Sequence, residues 1–505
     1  MSNKNRIFLI LICILFLLTR LYKINEIPPS VYWDEASIGY NAYSIVLSGK
    51  DEWGDLLPLH FRAFGEFKLP IYVYASSIFV KLFGLNEFSV RLPAVLFSLG
   101  SVILTYLLSK KIFKENLIAL FSSLSLTFSP WFFIISRTGI EATAGLMFYL
   151  LGIYLFLINR KWFILLSVLS FIISMYSYNS FRLLSPVVLF LLIIIRRKEL
   201  KVYIRQNLIM AFITIAFFIL SLIPIYRLFV YDSGIARVQN LGGVSEPLKI
   251  VKNYLSHFSP NFLFEGDKNF RFQQEGFGQI YILELLLFIA GVLYIVKKKQ
   301  KIYFLPLLFI FLAPIPASIT KEAPHALRSL SIIPFFCIVL GCGVKYIEEF
   351  AHKKVITNLG ILSIYLIFFG YYFYSFNTSY PIYSSKDWQS AYKEVYKNYA
   401  FEFEQYDQVI ISDTFAQPYI FALFYLKYDP NRFREEVKRN EVGDWGFSTV
   451  ASFNKFNFGK IKKIVNSETK GAIVFTSPDE MLDYIQPIDR INFPDGSIAL
   501  FVYKL

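Results

Sequence analysis

Apolar stretches long enough to cross a bilayer fill most of the first 376 residues, and every second link between them is basic. The stretches run roughly over 7–22, 90–108, 117–135, 142–158, 162–177, 182–195, 207–228, 279–296, 302–320, 327–345 and 355–376, which predicts about eleven transmembrane helices. The cations gather at Lys110, Lys111 and Lys114; at Arg160 and Lys161; at Arg196, Arg197, Lys198, Lys201 and Arg205; at Lys297, Lys298, Lys299 and Lys301; and at Lys345, Lys353 and Lys354. Positive links stay on the cytoplasmic side, so an odd number of spans predicts a cytoplasmic N-terminus and an outer C-terminus in the plasma membrane. A hydrophobic content of 55% fits no water-soluble class. A net charge of +14 suggests a nucleic-acid partner in a soluble chain, but here the cations serve orientation and none is expected.

The first apolar run, Ile7 to Leu18, follows Lys4 and Arg6 as a signal peptide does, yet no small-x-small cleavage site comes after it. It reads as a retained helix. Cys13, Cys337 and Cys342 all fall inside apolar runs, which argues against disulfides and against a cysteine-based metal site. Leu69 to Phe83 is apolar but short, and counting it as a span puts every later basic link on the wrong side. It is expected to be an interfacial helix.

The polar mass then falls almost wholly outside: a first loop over 23–87, the corner from Arg137 to Glu141, a loop over 230–278, and everything after Asn377. This predicts a transmembrane domain over 1–379 and a small extracytoplasmic α/β domain over 380–505. In the latter, Gln408–Ser412 and Ala472–Thr476 read as short buried strands. Trp388–Tyr399 and Pro478–Ile485 read as helices, and Gly496–Tyr503 as a terminal strand behind a Pro-Asp-Gly turn.

Asp34 and Glu35 follow the first apolar helix inside the aromatic-rich segment 28–43, and adjacent carboxylates there are the leading candidates for chemistry. Asp34 is also expected to cap a helix from Glu35 to about Leu47, a role compatible with acting as a general base. Lys68 either snorkels at the membrane boundary or holds a lipid-linked phosphate. Asp51, Glu52 and Asp55 read as solvated turn residues. Arg91, Arg137, Glu141, Arg182, Glu284 and Arg328 are further charges at the outer ends of the spans. Glu284 and Arg328 lie about one turn inside, where an unpaired charge is costly and faces a polar cavity. His257 opens a loop rich in glycine and aromatics, as a ligand or base. With four histidines and no His-x-x-x-His spacing, a metal site is not expected.

The apolar first helix, the outer acidic pair, Lys68-Leu69-Pro70 before an interfacial helix and Arg91-Leu92-Pro93 opening the next span together resemble the integral-membrane glycosyltransferases of the GT-C superfamily. More narrowly they resemble the protein O-mannosyltransferase and aminoarabinose-transferase group and its bacterial relatives, over about the first 380 residues. The resemblance implies an inverting transfer of a sugar from a polyprenyl-phosphate carrier, within the lipid bilayer, to a hydroxyl on a protein or glycan acceptor. By position it implies Asp34 as catalytic base with Glu35 beside it, and Lys68, Arg137 and Arg328 toward the donor phosphate. Glu141, Arg91, His257 and Glu284 are supporting residues. Leu69 stands where the family has the first proline of Lys-Pro-Pro. No cofactor is required; a divalent cation is optional, with Asp34, Glu35 and Asp51 its ligands if one binds.

The rival from another class is a transporter or flippase of lipid-linked sugar. It predicts charges or broken helices at mid-membrane, whereas this chain concentrates its charges at one end of the spans.

Overall fold

Each of the eleven apolar segments lies on helix in the computed structural model, which describes residues 3–64, 66–158, 161–231, 244, 246–441, 448–466 and 468–505. Arg160 and, within the expected 230–278 loop, residues 232–243 and 245 lie outside the described residues. Among the described residues, length and apolarity qualify four single helices to cross a membrane, Glu87–Phe113, Leu208–Leu228, Lys301–Ser318 and Lys354–Thr378. Two bent pairs raise the number to six: Asn116–Phe128 with Pro130–Arg137 at 64°, and Asn179–Ile195 with Arg197–Gln206 at 89°. The about eleven expected helices are thus a mixture of long, bent and short apolar helices, of which four to six pass by length and composition as spans. Pro130 and the Arg196-Arg197-Lys198 run mark the two breaks, where a prolyl ring and a dense charge cluster interrupt the apolar pattern. The protein is a multi-pass membrane protein. Leu208, Ile209 and Phe212 are 67%, 78% and 73% exposed on the Leu208–Tyr231 helix, a surface that water does not tolerate and lipid does.

The chain divides into two compact units. The first holds Met1–Tyr22 and Ala94–Tyr374. Its centre is a three-helix contact between Asn116–Phe128, Ile282–Lys298 and Ile332–Phe350. Backbones touch there: a Cβ at Gly343 meets the Leu287 carbonyl oxygen at 1.9 Å, and one at Gly291 meets that of Val339 at 2.0 Å. Packing of this kind holds apolar helices together where lipid removes the hydrophobic drive between them. Arg20, fully buried at the end of the Asn3–Leu21 helix, joins that helix to the bent pair. It donates to Ser136 Oγ at 2.9 Å and to the Thr127 carbonyl oxygen at 2.7 Å, and lies over the Phe133 ring at 4.2 Å.

The second unit holds Lys23–Pro93 and Ser375–Leu505, so the first loop packs with the C-terminal segment. The helix Trp33–Ser48 packs on Pro70–Phe83 and on Pro418–Tyr425. A two-stranded hairpin, β1 (Phe61–Ala63) and β2 (Glu66–Lys68), pairs Phe61 with Lys68. At 14 residues Pro70–Phe83 is too short to span. Tyr72, Val73, Ser76 and Val80 are buried while Ile78, Leu82 and Phe83 remain exposed, the two-sided apolarity of a helix lying at an interface.

The C-terminal segment builds a seven-stranded mixed sheet. Its strands are β3 (Gln408–Ser412), β4 (Lys438–Arg439), β5 (Val450–Phe453), β6 (Phe456–Gly459), β7 (Ala472–Thr476), β8 (Asp489–Asn492) and β9 (Ile498–Lys504), in the order β4-β5-β6-β3-β7-β9-β8. The central β3 runs parallel to both β6 and β7. Continuous apolar runs in β3 and β7 are what a strand covered on both faces requires. The Pro-Asp-Gly turn forms as expected, with Gly496 at φ 84° and the Ser497 N–H donating to Asp495 Oδ1. The expected Pro478–Ile485 helix does not form beyond a single turn at Pro478–Glu480. Leu482 and Ile485 instead pack on Ile410, Val474 and Tyr503, so tertiary burial overrides the local pattern. The Trp388–Tyr399 helix begins at Ser390.

Candidate functional site

The Trp33–Ser48 helix begins two residues before the expected start, with Tyr32 as the capping position. Asp34 is therefore not the cap but a first-turn residue, where a negative charge still meets the positive end of the helix. Glu35 takes part of the capping role by accepting the Tyr32 N–H on Oε2 at 3.2 Å. Asp34 reaches across to Lys68 instead, with Nζ 2.6 Å from Oδ1. The carboxylate keeps 36% of its side-chain surface exposed while the lysine keeps 7%. The pair thus shows solvent its acid and hides its base. The hairpin positions the lysine at the end of β2. Leu69, buried and extended at φ −89° and ψ 148°, then turns the chain into Pro70 at the first helical position, as the residue before a proline does.

Glu35 lies in a different environment. Its carboxylate accepts from Arg91 Nε and Nη2, both at 3.1 Å, and the two residues are 2% and 0% exposed. The guanidinium also donates to the carbonyl oxygens of Ile24, Pro28 and Ser30 at 2.7, 3.1 and 2.5 Å. All of its donating edges are turned toward the segment leading into Asp34, the fork geometry for which arginine is suited. The Glu35–Arg91 pair holds the loop that presents Asp34.

A third polar group was missed by sequence reading. Glu52, expected as a solvated turn residue, is 1% exposed. Its carboxylate accepts from Tyr419 Oη at 2.9 Å and from Asn41 Nδ2 at 3.4 Å, and its N–H donates to Asn41 Oδ1 at 3.0 Å. Tyr419 lies 367 residues away along the chain, so no local signal announces the contact. Burial pushes the Glu52 carboxyl from its ordinary 4.5 up to about 7, against the hydrogen bond from Tyr419. The native state thus holds a proton that the unfolded chain releases above about pH 4.5. Stability from this group is complete below that value and is lost as pH rises through about 7. Thermal unfolding at pH 5 and pH 8 is expected to show this loss in the native chain and a smaller one in Glu52→Gln. Asp51 is also buried, which raises its carboxyl pKa. Its Oδ1 accepts the Trp53 and Asp55 N–H groups at 2.9 and 2.8 Å.

Among the described residues no group of three or more His, Cys, Asp or Glu side chains is arranged to hold a metal ion. Asp34, Glu35 and Asp51 do not form one.

The remaining candidates belong to the first unit. Arg137 is fully buried and donates to the carbonyl oxygens of Thr19 and Tyr22 at 3.4 and 2.7 Å, closing the end of the first helix. Glu141 precedes the Ala142–Ile158 helix and accepts the Ala144 and Gly145 N–H groups on its backbone oxygen. Glu284 is buried, accepting the Tyr281 N–H at 2.9 Å and the Tyr365 hydroxyl at 2.7 Å; its charge meets a polar network rather than a cavity. Arg328 donates to Thr320 Oγ1 and Glu322 Oε2, each at 2.8 Å. His257 binds the Asn253 carbonyl oxygen through Nδ1 at 2.8 Å and accepts the His325 N–H on Nε2 at 3.2 Å. Both ring nitrogens are engaged, and burial lowers the pKa. With Asp267 accepting the Ala326 N–H at 3.0 Å, His257 fastens its loop to the 318–326 turn.

Residues 68–225 match the family model described as dolichyl-phosphate-mannose-protein mannosyltransferase. Over 99% of its length the chain is similar to the crystal structure of ArnT from Cupriavidus metallidurans bound to undecaprenyl phosphate, with a TM-score of 0.62 and 11% identity over 98% of that chain. At that identity the likeness is one of fold. The apo state of the same aminoarabinose transferase gives a TM-score of 0.57 at 12% identity over 97% of both chains. The GT-C oligosaccharyltransferase AglB from Archaeoglobus fulgidus, in complex with an inhibitory peptide and a dolichol-phosphate, gives 0.50 at 12% identity over 84% of this chain and 64% of that one. No curated protein matches the sequence.

Proposed function

We propose that this chain moves a sugar from a polyprenyl-phosphate carrier to a hydroxyl on a protein or glycan acceptor, with inversion, at the outer face of the membrane. The observation that carries the reading is the Asp34–Lys68 pair, a reachable carboxylate on a buried cation at the start of a helix. The GT-C fold and the mannosyltransferase family match support transfer over the transport alternative. Positively charged alternate links support the outer placement of the 23–87 loop.

The acceptor oxygen attacks the sugar carbon as the carbon–oxygen bond to phosphate breaks. The hydroxyl proton passes to Asp34, and the polyprenyl phosphate leaves with the bonding pair. The departing group gains negative charge, so a cation must stabilise it. Inversion sets base and leaving group on opposite faces of the ring, so Lys68 does not serve the phosphate while 2.6 Å from Asp34. Donor binding draws Lys68 to the phosphate and releases the carboxylate, which arms the base only when sugar is present. We assign the phosphate to Lys68 rather than to Arg137 or Arg328, whose guanidinium groups are engaged elsewhere. Lys68 also stands in the place of a divalent ion. Glu35 and Arg91 position Asp34.

Purified protein incubated with a panel of polyprenyl-phosphate sugars and membrane extract is expected to consume one donor and yield a glycosylated product detectable by mass spectrometry. Consumption of none rejects the reading.

A further inference from the structure

In the C-terminal sheet, β3 and β6 are parallel neighbours whose chains leave in opposite directions. Beyond β3 the chain passes through 413–417 into Pro418–Tyr425. Phe421 of that helix packs on Tyr392 of Ser390–Tyr399, and Tyr399 of the latter packs on Phe475. Beyond β6 the chain enters Ile461–Ile464, and Ile461 packs with Ile410 and Val474. Val474 and Phe475 are consecutive in β7, so they face opposite sides of the sheet. The crossovers therefore diverge to opposite faces, and such a divergence opens a crevice at the carboxyl ends of the strands where ligands bind in α/β sheets.

A cavity of about 140 Å³ occupies that crevice, lined by Asp413, Ala416, Gln417, Asn440, Thr449 and Gly459. Gln417 Oε1 is buried with no hydrogen-bond partner among the described residues, and a buried acceptor left unmet is costly unless a ligand meets it. Ala416 and Gln417 are both held in the left-handed region, at φ 62° and 52°, the kind of backbone strain that collects at ligand sites. Gln389 fixes them by donating through Nε2 to the carbonyl oxygens of Phe415 and Ala416. The same amide accepts the Trp33 N–H on Oε1 at 3.1 Å, tying the crevice to the helix that carries Asp34.

We propose that this crevice binds one unphosphorylated sugar ring. At about 30 Å³ per water the volume equals four or five waters, which suits a single ring and excludes a nucleotide. The lining offers acceptors, the Asp413 carboxylate and the Gln417 amide oxygen, which call for a ligand rich in hydroxyl donors. Among the described residues no arginine or lysine lines it, and the Asp413 carboxylate that does is already paired with Lys460 at 3.3 Å, so the lining offers an anion no free cation of its own. Tyr419 and Phe458 supply aromatic wall for the apolar face of a pyranose. The binding is independent of the catalytic reading.

A free monosaccharide and the end of a glycan present the same ring. The full-length protein is therefore titrated with methyl α-mannoside and methyl α-glucoside, the matching trisaccharides, and inorganic phosphate, by saturation-transfer NMR. Saturable glycoside signals are expected, weakened roughly tenfold or more in Asp413→Asn and Gln417→Gly as a charged and a neutral acceptor are lost. Gln417→Gly suits the left-handed backbone, so an unchanged melting temperature separates lost binding from lost fold. Tighter trisaccharide binding assigns the ring to a glycan end, and equal binding to a free sugar; both uphold the site. No saturable glycoside signal, binding of phosphate alone, or undiminished binding in both variants overturns it. Donor turnover is not read, so failure of the glycosyltransferase assignment leaves the result standing.

Discussion

Asp34→Asn is expected to lower the turnover of polyprenyl-phosphate sugar by about a hundredfold to ten-thousandfold, the range a positioned general base contributes. The substitution keeps the side chain's size and removes the charge that receives the proton. It also removes the counter-ion of Lys68, which has two consequences that separate a catalytic loss from a general one. The lysine is freed for the donor phosphate, so the donor KM is expected to stay level or fall while kcat collapses. Lys68→Gln is expected to do the reverse in part, raising the donor KM as well as lowering kcat, because it takes away a phosphate contact made in ground and transition states alike. Steady-state kinetics with a labelled donor, alongside a melting curve for each variant, reads both. Retained turnover in a folded Asp34→Asn protein removes Asp34 from the mechanism.

What the sequence disclosed follows from how far apart the interacting residues lie. The apolar segments are local patterns, and all eleven fell on helix. The strands β3 and β7 were equally plain, since a central strand covered on both faces must be apolar throughout. The shorter β4, β5, β6 and β8 carry two to four residues each and gave no such run. Asp34 and Lys68 each stood out for their setting, but their pairing depends on a hairpin register that no local pattern expresses. Contacts between distant residues were invisible for the same reason. Arg20 was passed over, and Glu52 read as a turn residue, because Ser136 and Tyr419 lie 116 and 367 residues away. Glu35 was selected as an acid adjacent to another, and adjacency along a helix puts the two carboxylates on different sides of it. One meets solvent and Lys68; the other meets Arg91 in the interior.

That difference makes Glu35→Ala the sharpest test of division of labour within the pair. Removing Glu35 leaves the Arg91 guanidinium fully buried without its carboxylate, and breaking a buried ion pair from one side costs about 3–5 kcal/mol. The carbonyl oxygens of Ile24, Pro28 and Ser30 remain to Arg91, so the cost is expected toward the lower end of that range. Thermal unfolding of the full-length protein is expected to show a large fall in melting temperature, accompanied by loss of activity through misplacement of Asp34. The double variant Glu35→Leu with Arg91→Met removes both charges and fills their space, and such replacements regain much of the stability lost by one-sided deletion. Recovery of the melting temperature in the double variant identifies the pair as a structural clamp. A Glu35→Ala protein that melts like the native chain yet fails to turn over gives Glu35 a direct part in the chemistry instead. The two carboxylates are thus distinguishable by what fails first: with Asp34 the reaction, with Glu35 the fold that holds it.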